Sequence, residues 1–323
     1  MTMDRAIIDK MNKLGKDRIP FLFIIDFLGK KPLIHRLNNI DSDSIIYSIN
    51  GKTNCAETPN NSKRLSFSVF PVKETLYVKA FNKVQTHIRH GDTFLLNLTM
   101  PSKLKSNYTL KDIFFASKAK YKLWLKDHFV VFSPEIFIQT KGTKINSFPM
   151  KGTINANIPN AKDLLLNSEK ENAEHFTIVD LIRNDLSMVA KDVEVEEFKT
   201  ISKIVTNNGE LLQMSSKVTG QLPKNYNENI GDILSTLLPA GSISGAPKKK
   251  TLEIIKEAEK YDRGYYTGVF GVFDGTNIDS GVMIRFVEQT NSELIYKSGG
   301  GITSKSIAKD EYDELVQKVY VPI

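Results

Sequence analysis

Residues 265–298 read YYTGVFGVFDGTNIDSGVMIRFVEQTNSELIYKS, and this stretch decides the fold class. Apolar and β-branched residues run through 265–273, Asp274-Gly275 supplies a hairpin turn, and a second run covers 278–288. Asn291-Ser292 reads as another turn, and 294–298 as a third strand. Strands succeed strands here with no helix between them. That order belongs to an α+β protein with largely antiparallel sheets, not to a doubly wound parallel sheet.

Upstream, the same texture recurs. Phe21–Ile25, 44–48, 65–70 and 93–99 read as strands, as do 122–125, 129–132 and 136–138, each bounded by turn residues. Helical spacing of Tyr77, Ala80, Phe81, Val84 and Ile88 predicts a helix over Glu74–His90, ended by Gly91-Asp92. Residues 162–189 read as helix interrupted near Asn167-Ser168, where Ser168-x-x-Glu171 is a capping box for the second half. Another helix follows Gly245-Ala246-Pro247 as far as Lys260, and a last one spans roughly 309–319. No Pro/Gly/Ser linker divides the chain, so one structural domain is expected, with 1–64 a strand-rich opening of the same fold as 65–323.

The chain has 323 residues, 41% hydrophobic and 25% charged, enough for a sizeable core. Its net charge of +7 is scattered, without the basic stripe or aromatic-basic interleaving that nucleic-acid binding requires. The single cysteine, Cys55, excludes an internal disulfide and a Cys/His zinc site. Residues 1–18 lack an apolar signal core, and the most apolar run, 21–27, is interrupted by Asp26. A cytoplasmic protein without a membrane span is expected.

Chemistry concentrates in the second half. Glu171 and Glu174 lie three apart on one helical face that continues through Ile178, Leu181 and Ile182. Two carboxylates at the end of an apolar stripe repel each other and are costly to desolvate unless a cation lies between them. Glu311 and Glu314 repeat the device, with Lys318 one turn on. Two facing acid pairs suit a hard cation such as Mg2+, although a solvated helix surface is the commoner reading of either pair alone. Gly299-Gly300-Gly301 after a strand lets backbone N–H groups approach an anion, or is simply a flexible turn. The small-residue loop 238–248 leads into a helix N-terminus, a natural anion site, but lacks Walker A spacing. Lys151, in a Pro/Gly-marked turn, is either a surface charge or a nucleophile if its surroundings depress its pKa. Glu135, at a turn before a strand, suits a general acid if buried.

Taken together these segments resemble the chorismate-utilising enzymes. The resemblance runs from Phe132-Ser-Pro-Glu135 through Pro149-Met-Lys-Gly-Thr153, Glu171-x-x-Glu174-His and Ile178-Val-Asp-Leu-Ile-Arg-Asn-Asp185. It continues through residues 239–248, Arg263-Gly-Tyr-Tyr-Thr-Gly268, Ile284-Arg285, Gly299-Gly-Gly-Ile302 and Glu311-Tyr-x-Glu314, in the family's order over roughly residues 65–320. The family includes anthranilate synthase component I, isochorismate and salicylate synthases, and aminodeoxychorismate synthase component I. The last typically carries lysine in Pro-x-Lys-Gly-Thr where the anthranilate and isochorismate enzymes carry alanine, so Lys151 points to the aminating branch.

The resemblance implies antiparallel sheets in a sandwich with helices outside, and replacement of the C4 hydroxyl of chorismate by ammonia. It implies Glu174 and Glu314 as Mg2+ ligands with Glu171 and Glu311 beside them or acting through water. Glu135 would be the proton donor and Lys151 the nucleophile. Ser242, Tyr266, Arg285, the Gly299–Gly301 backbone and Lys318 would meet the substrate carboxylates. Asp180, Arg183, Asn184 and Asp185 are expected to form a helix-terminal hydrogen-bond network. Ammonia would come from a separate glutamine amidotransferase subunit, and a downstream lyase would complete 4-aminobenzoate for folate. Gln213 stands where several relatives have histidine, which throws more of the acid role onto Glu135. Residues 304–308 also depart from the family pattern. Competing readings are anthranilate synthase component I, an isochorismate-forming enzyme, and a non-catalytic subunit that keeps the fold.

Overall fold

The 265–298 segment builds a hairpin and then changes sheets. Val269–Phe273 and Ile278–Val282 pair antiparallel around Gly275, whose φ of 95° is the left-handed value such a turn requires. The single strand expected over 278–288 is in fact two. Arg285 has φ 54°, the chain reverses there, and Phe286–Thr290 continues in the other sheet. Val282 and Met283 before Arg285, and Phe286 and Val287 after it, are all buried, so apolar residues flank the crossing on both sides.

A computed structural model of the chain describes residues 3–56, 65–206, 209–291 and 293–322. Among these, the helices are α1 (Arg5–Lys16), α2 (Glu74–His90), α3 (Leu110–Ala116) and α4 (Ala161–Asn167). They are followed by α5 (Glu169–Ser187), α6 (Ile230–Leu237), α7 (Lys248–Glu259) and α8 (Ala308–Gln317). The strands form two nine-stranded sheets, antiparallel at every pairing. The first runs from Met150–Asn155 at one edge, through Gly209–Gln221, Lys144–Ser147, Ile136–Lys141, Ile278–Val282 and Val269–Phe273, to Phe21–Ile25 and Leu33–Arg36. Lys191–Thr206 also pairs with Gly209–Gln221. The second runs from Gly245–Ala246 through Leu95–Ser106, Glu293–Ile302, Phe286–Thr290, Phe129–Ser133 and Tyr121–Leu125 to Ile45–Ile49 and Lys52–Thr53, with Phe67–Phe70 also paired to Leu95–Ser106. Residues 21–53 thus add strands to both sheets.

Alternation along the strands explains the layers. Leu22, Ile24, Phe270 and Val272 of the first sheet pack against Tyr47, Tyr121, Leu123, Val131 and Phe286 of the second, forming the core between them. The intervening residues Phe21, Phe23, Ile25 and Phe273 face the other way, into the core shared with α1, α2, α5, α6 and α7. The far face of the second sheet, with Ile46, Trp124, Val130 and Phe132, is covered by α3 and the C-terminal Val319 and Val321. The α+β sandwich is therefore observed. Glu74–His90 ends at Gly91 as expected, in the left-handed conformation at φ 85°. Ser168 separates α4 from α5, its side chain accepting from the Glu171 N–H.

Two local expectations are corrected. Lys151 lies not in a turn but in the edge strand Met150–Asn155, whose pairing with Gly209–Gln221 slips between Met150 and Thr153. Gly299, Gly300 and Gly301 do not follow a strand but belong to Glu293–Ile302, opposite Thr99, Leu98 and Asn97. A Cβ on Gly299 would stand 2.4 Å from the Leu98 carbonyl oxygen, so glycine is what allows this close approach.

Candidate active site

Two links between the sheets run side by side and carry the central residues. Pro134-Glu135 joins Phe129–Ser133 of the second sheet to Ile136–Lys141 of the first; Met283–Arg285 makes the return crossing. They are laced together: the Val282 N–H donates to the Glu135 carbonyl at 3.1 Å, and the Phe132 N–H to the Arg285 carbonyl at 3.1 Å. Loop residues 263–268 are tied to the same crossing, the Thr267 N–H donating to Met283 O and the Met283 N–H to Gly268 O. Tyr266, 3% exposed, lies there against Phe286. Burial, with a contribution from Glu135, pushes its hydroxyl well above the ordinary phenol value, opposed by Arg263 and Arg285. Glu135, Tyr266 and Arg285 therefore share one electrostatic environment.

Ser242 joins them: its Oγ donates to Glu135 Oε1 at 2.5 Å. In the same loop, Lys248 faces inward, to Asp185 Oδ1 and the Leu237 carbonyl, each at 2.9 Å. The Arg285 guanidinium lies over the Tyr320 ring at 5.1 Å, and its buried Nε has no hydrogen-bond partner among the described residues. A cavity lined by Glu135, Ser242, Gly241, Asp185, Phe148 and Pro149 opens at this point, two residues from Lys151.

The glycine strand carries a second group. Side chains of α8 and of Lys318, which caps its C-terminus, converge over Gly300. From where its Cβ would sit, Glu311 Oε2 is 3.5 Å, Lys318 Nζ 3.6 Å and Glu314 Oε1 3.9 Å away. Lys318 Nζ also donates to the Gly299 carbonyl at 3.0 Å and pairs with Glu314 at 2.7 Å. Glu311 is buried and Glu314 exposed. Beneath them the Tyr77 hydroxyl is buried without a hydrogen-bond partner among the described residues. Burial pushes it far up, and the charges of Glu311 and Glu314 add to the effect. Only the packing role of Tyr77 is visible in helical spacing.

A third group stands on α5. Ile178, Leu181 and Ile182 are buried as expected, and so is Glu174. Glu171 reaches the lysine strand: its Oε2 would be 3.0 Å from a Cβ on Gly152, whose φ is 83°. The side chain of Lys151 lies outside the described residues; its backbone is next to this glycine. Gln213 faces Thr153 across the strand pair. The expected helix-terminal network is divided. Asp180 bonds Arg183 at 3.1 Å and Asn184 at 3.4 Å on the surface, whereas Asp185 is buried against Lys248.

Sequence reasoning missed one cluster behind the site. Arg263 Nε and Nη2 donate to Glu259 at 2.8 and 2.6 Å, with both side chains 2% exposed or less. The same guanidinium donates to the Ile243 and Asn97 carbonyls, while Glu259 accepts from the Thr99 N–H and hydroxyl. An i,i+4 Glu–Arg pair is an ordinary surface feature, so only tertiary packing reveals it as core.

The carboxylates fit Mg2+ in chemical type, and Gly300 leaves a floor without a side chain beneath the α8 pair. Among the described residues no three of His, Cys, Asp and Glu are gathered closely enough to hold an ion. Also among them, no helix is long and apolar enough to cross a membrane.

The fold is an α+β sandwich of two antiparallel sheets with helices on the outer faces. The chain belongs to the chorismate-binding enzyme family, whose model matches residues 30–323. Enzymes of this family generally use Mg2+. An "Uncharacterized PabA-like protein" of Haemophilus influenzae is 51% identical over 98% of this chain and 96% of its own length. Aminodeoxychorismate synthase component 1 of Bacillus subtilis is 32% identical over 77% of this chain and 55% of its own. Anthranilate synthase component 1 of Aquifex aeolicus is also 32% identical, over 73% of this chain and 50% of its own. In fold, the crystal structure of a putative isochorismate synthase, DhbC, from Bacillus anthracis superimposes with a TM-score of 0.72 at 20% identity. It covers 96% of this chain and 87% of that one.

Proposed function

We propose that this chain aminates chorismate at C4, the reaction of aminodeoxychorismate synthase component I. Ammonia would come from a separate glutamine amidotransferase subunit. Overall identity does not separate the aminating relatives from the anthranilate-forming ones, so the reading rests on Lys151 and its place. The observation that carries it is the cavity shared by Glu135, Ser242 and Pro149, because Pro149 leads directly into the lysine strand.

Each residue then has a task. Glu135 donates a proton to the C4 hydroxyl, which departs as water, while the neutral amine of Lys151 forms a bond to C2 and the ring double bonds shift. Ammonia next bonds to C4, the double bonds shift back, and the C2–N bond to Lys151 breaks, leaving 4-amino-4-deoxychorismate and the free lysine. One difficult substitution becomes two allylic ones. Arg285 presents planar donors suited to a substrate carboxylate, and Tyr266, Ser242, Lys318 and the Gly299–Gly301 backbone would supply the remaining contacts to the substrate carboxylates. Glu174, Glu311 and Glu314, with Glu171, would hold Mg2+, which would supply positive charge to offset that of the ring carboxylate during substitution.

The test is a product assay with chorismate, Mg2+ and ammonium, coupled to excess aminodeoxychorismate lyase. The reading expects 4-aminobenzoate; anthranilate or isochorismate in its place would sink it while leaving family and fold intact. Glu135→Gln is expected to lower the rate about 10²-fold, the lower end for a lost general acid, with chorismate still bound. A variant as fast as the parent would remove Glu135 from the mechanism. Chelation should abolish turnover. Glu311→Gln should raise the Mg2+ concentration for half-maximal rate by roughly tenfold or more, since a buried carboxylate is lost. An unchanged Mg2+ requirement would place the ion elsewhere.

A further inference from the structure

Asp185 stands apart from its neighbours on α5. Asp180, Arg183 and Asn184 are exposed, whereas Asp185 is 6% exposed and faces the loop that carries Ser242. It takes hold of that loop in two ways. Its Oδ1 pairs with Lys248 Nζ, which also binds the Leu237 carbonyl, and it accepts from the Gly241 N–H. The fit at Gly241 is tight: a Cβ there would lie 2.8 Å from Asp185 Oδ2 and 2.9 Å from Leu181 Cγ. The next residue is Ser242, whose hydroxyl is on Glu135. On its other side the Ile243 carbonyl is held by Arg263 at 2.9 Å and by the Asn97 side-chain amide at 3.3 Å. Ser242 therefore sits between two buried anchors.

We propose that the Asp185–Lys248 pair is a positioning device for Glu135. It fixes the Gly241–Ser242 segment so that the serine hydroxyl stays on the Glu135 carboxyl. An acid that has delivered its proton is left as a carboxylate, and a donated hydrogen bond stabilises that form. Burial pushes the Asp185 carboxyl up, while Lys248 and the Gly241 N–H hold it down and keep it a competent acceptor. The role of Glu135 as proton donor belongs to the functional reading above; the mechanical coupling from Asp185 to Glu135 does not depend on it.

The coupling is read without substrate from the 13C carboxyl resonance of Glu135, assigned with Glu135→Gln. Asp185→Asn should move this resonance and raise its titration midpoint, and Ser242→Ala should do the same. In a Ser242→Ala background, Asp185→Asn should add nothing. Lys248→Met provides the same test should Asp185→Asn fail to fold, and Lys248→Arg should restore the parent signal. In turnover, Asp185→Asn should lower kcat roughly tenfold with KM for chorismate within about twofold, the split expected of a coupled neighbour. An unmoved resonance in a folded variant, or full additivity with Ser242→Ala, overturns the proposal. A responsive resonance in a chain that leaves chorismate unchanged with ammonium and Mg2+ upholds the coupling and removes the functional reading instead.

Discussion

Lys151→Ala is expected to slow formation of aminodeoxychorismate by at least ~10³-fold, about 4 kcal/mol of transition-state stabilisation. Without the amine there is no first bond to C2, and ammonia must displace the C4 hydroxyl directly while Glu135 acts alone. The backbone around Lys151 suits a group that must be held in place. Its strand slips register between Met150 and Thr153, and Gly152 takes a left-handed conformation against the Glu171 carboxylate. Bulges on edge strands commonly re-aim a side chain next to active sites. The measurement is the lyase-coupled rate at saturating ammonium, with chorismate affinity followed separately by equilibrium binding. Retained affinity with a collapsed rate marks a residue acting in the chemical step. Full activity in the alanine variant would end the covalent route, and a loss of affinity equal to the loss of rate would make Lys151 a binding cation.

Chain punctuation and helical faces were legible in the sequence because their causes are local. Gly91 ends α2, Ser168 opens α5, and the Glu171–Ile182 stripe buries the side it should. The antiparallel class followed from successive strands with short turns. What escaped was set at long range. Arg285 interrupts an apolar run with nothing in its neighbours to announce a change of sheet, and the glycine run looks like a turn until Leu95–Ser106 is laid beside it. The long hairpin of Lys191–Thr206 with Gly209–Gln221 was likewise unread, since its charged, half-exposed strands lack a clean alternation. At the site, residue types announced Glu135, Arg285 and the two acid pairs. Their supports did not stand out, because Asp185, Lys248, Glu259 and Arg263 look like surface charges until the packing encloses them.

That enclosure gives the largest stability effect expected of any single replacement here. Arg263→Met leaves the Glu259 carboxylate buried at 1% exposure, with Thr99 as a neutral partner but no countercharge. Removing one member of a buried ion pair costs about 3–5 kcal/mol, because the surviving charge keeps its desolvation penalty. For a chain of this length that is a fall of roughly 4–7 °C in Tm. The reverse variant, Glu259→Leu, should cost a similar amount by stranding Arg263. The double variant should recover much of the loss, since two apolar side chains can replace a buried pair at little net cost. Activity should not recover with it. Arg263 also holds the Ile243 carbonyl beside Ser242 and donates to Thr267 at 3.2 Å, next to Tyr266, and neither contact survives in the double variant. Calorimetry and chorismate turnover on the three variants separate the two roles. A double variant regaining both stability and rate would reduce the pair to packing, while one regaining stability alone would show that the buried charge exists to hold the site.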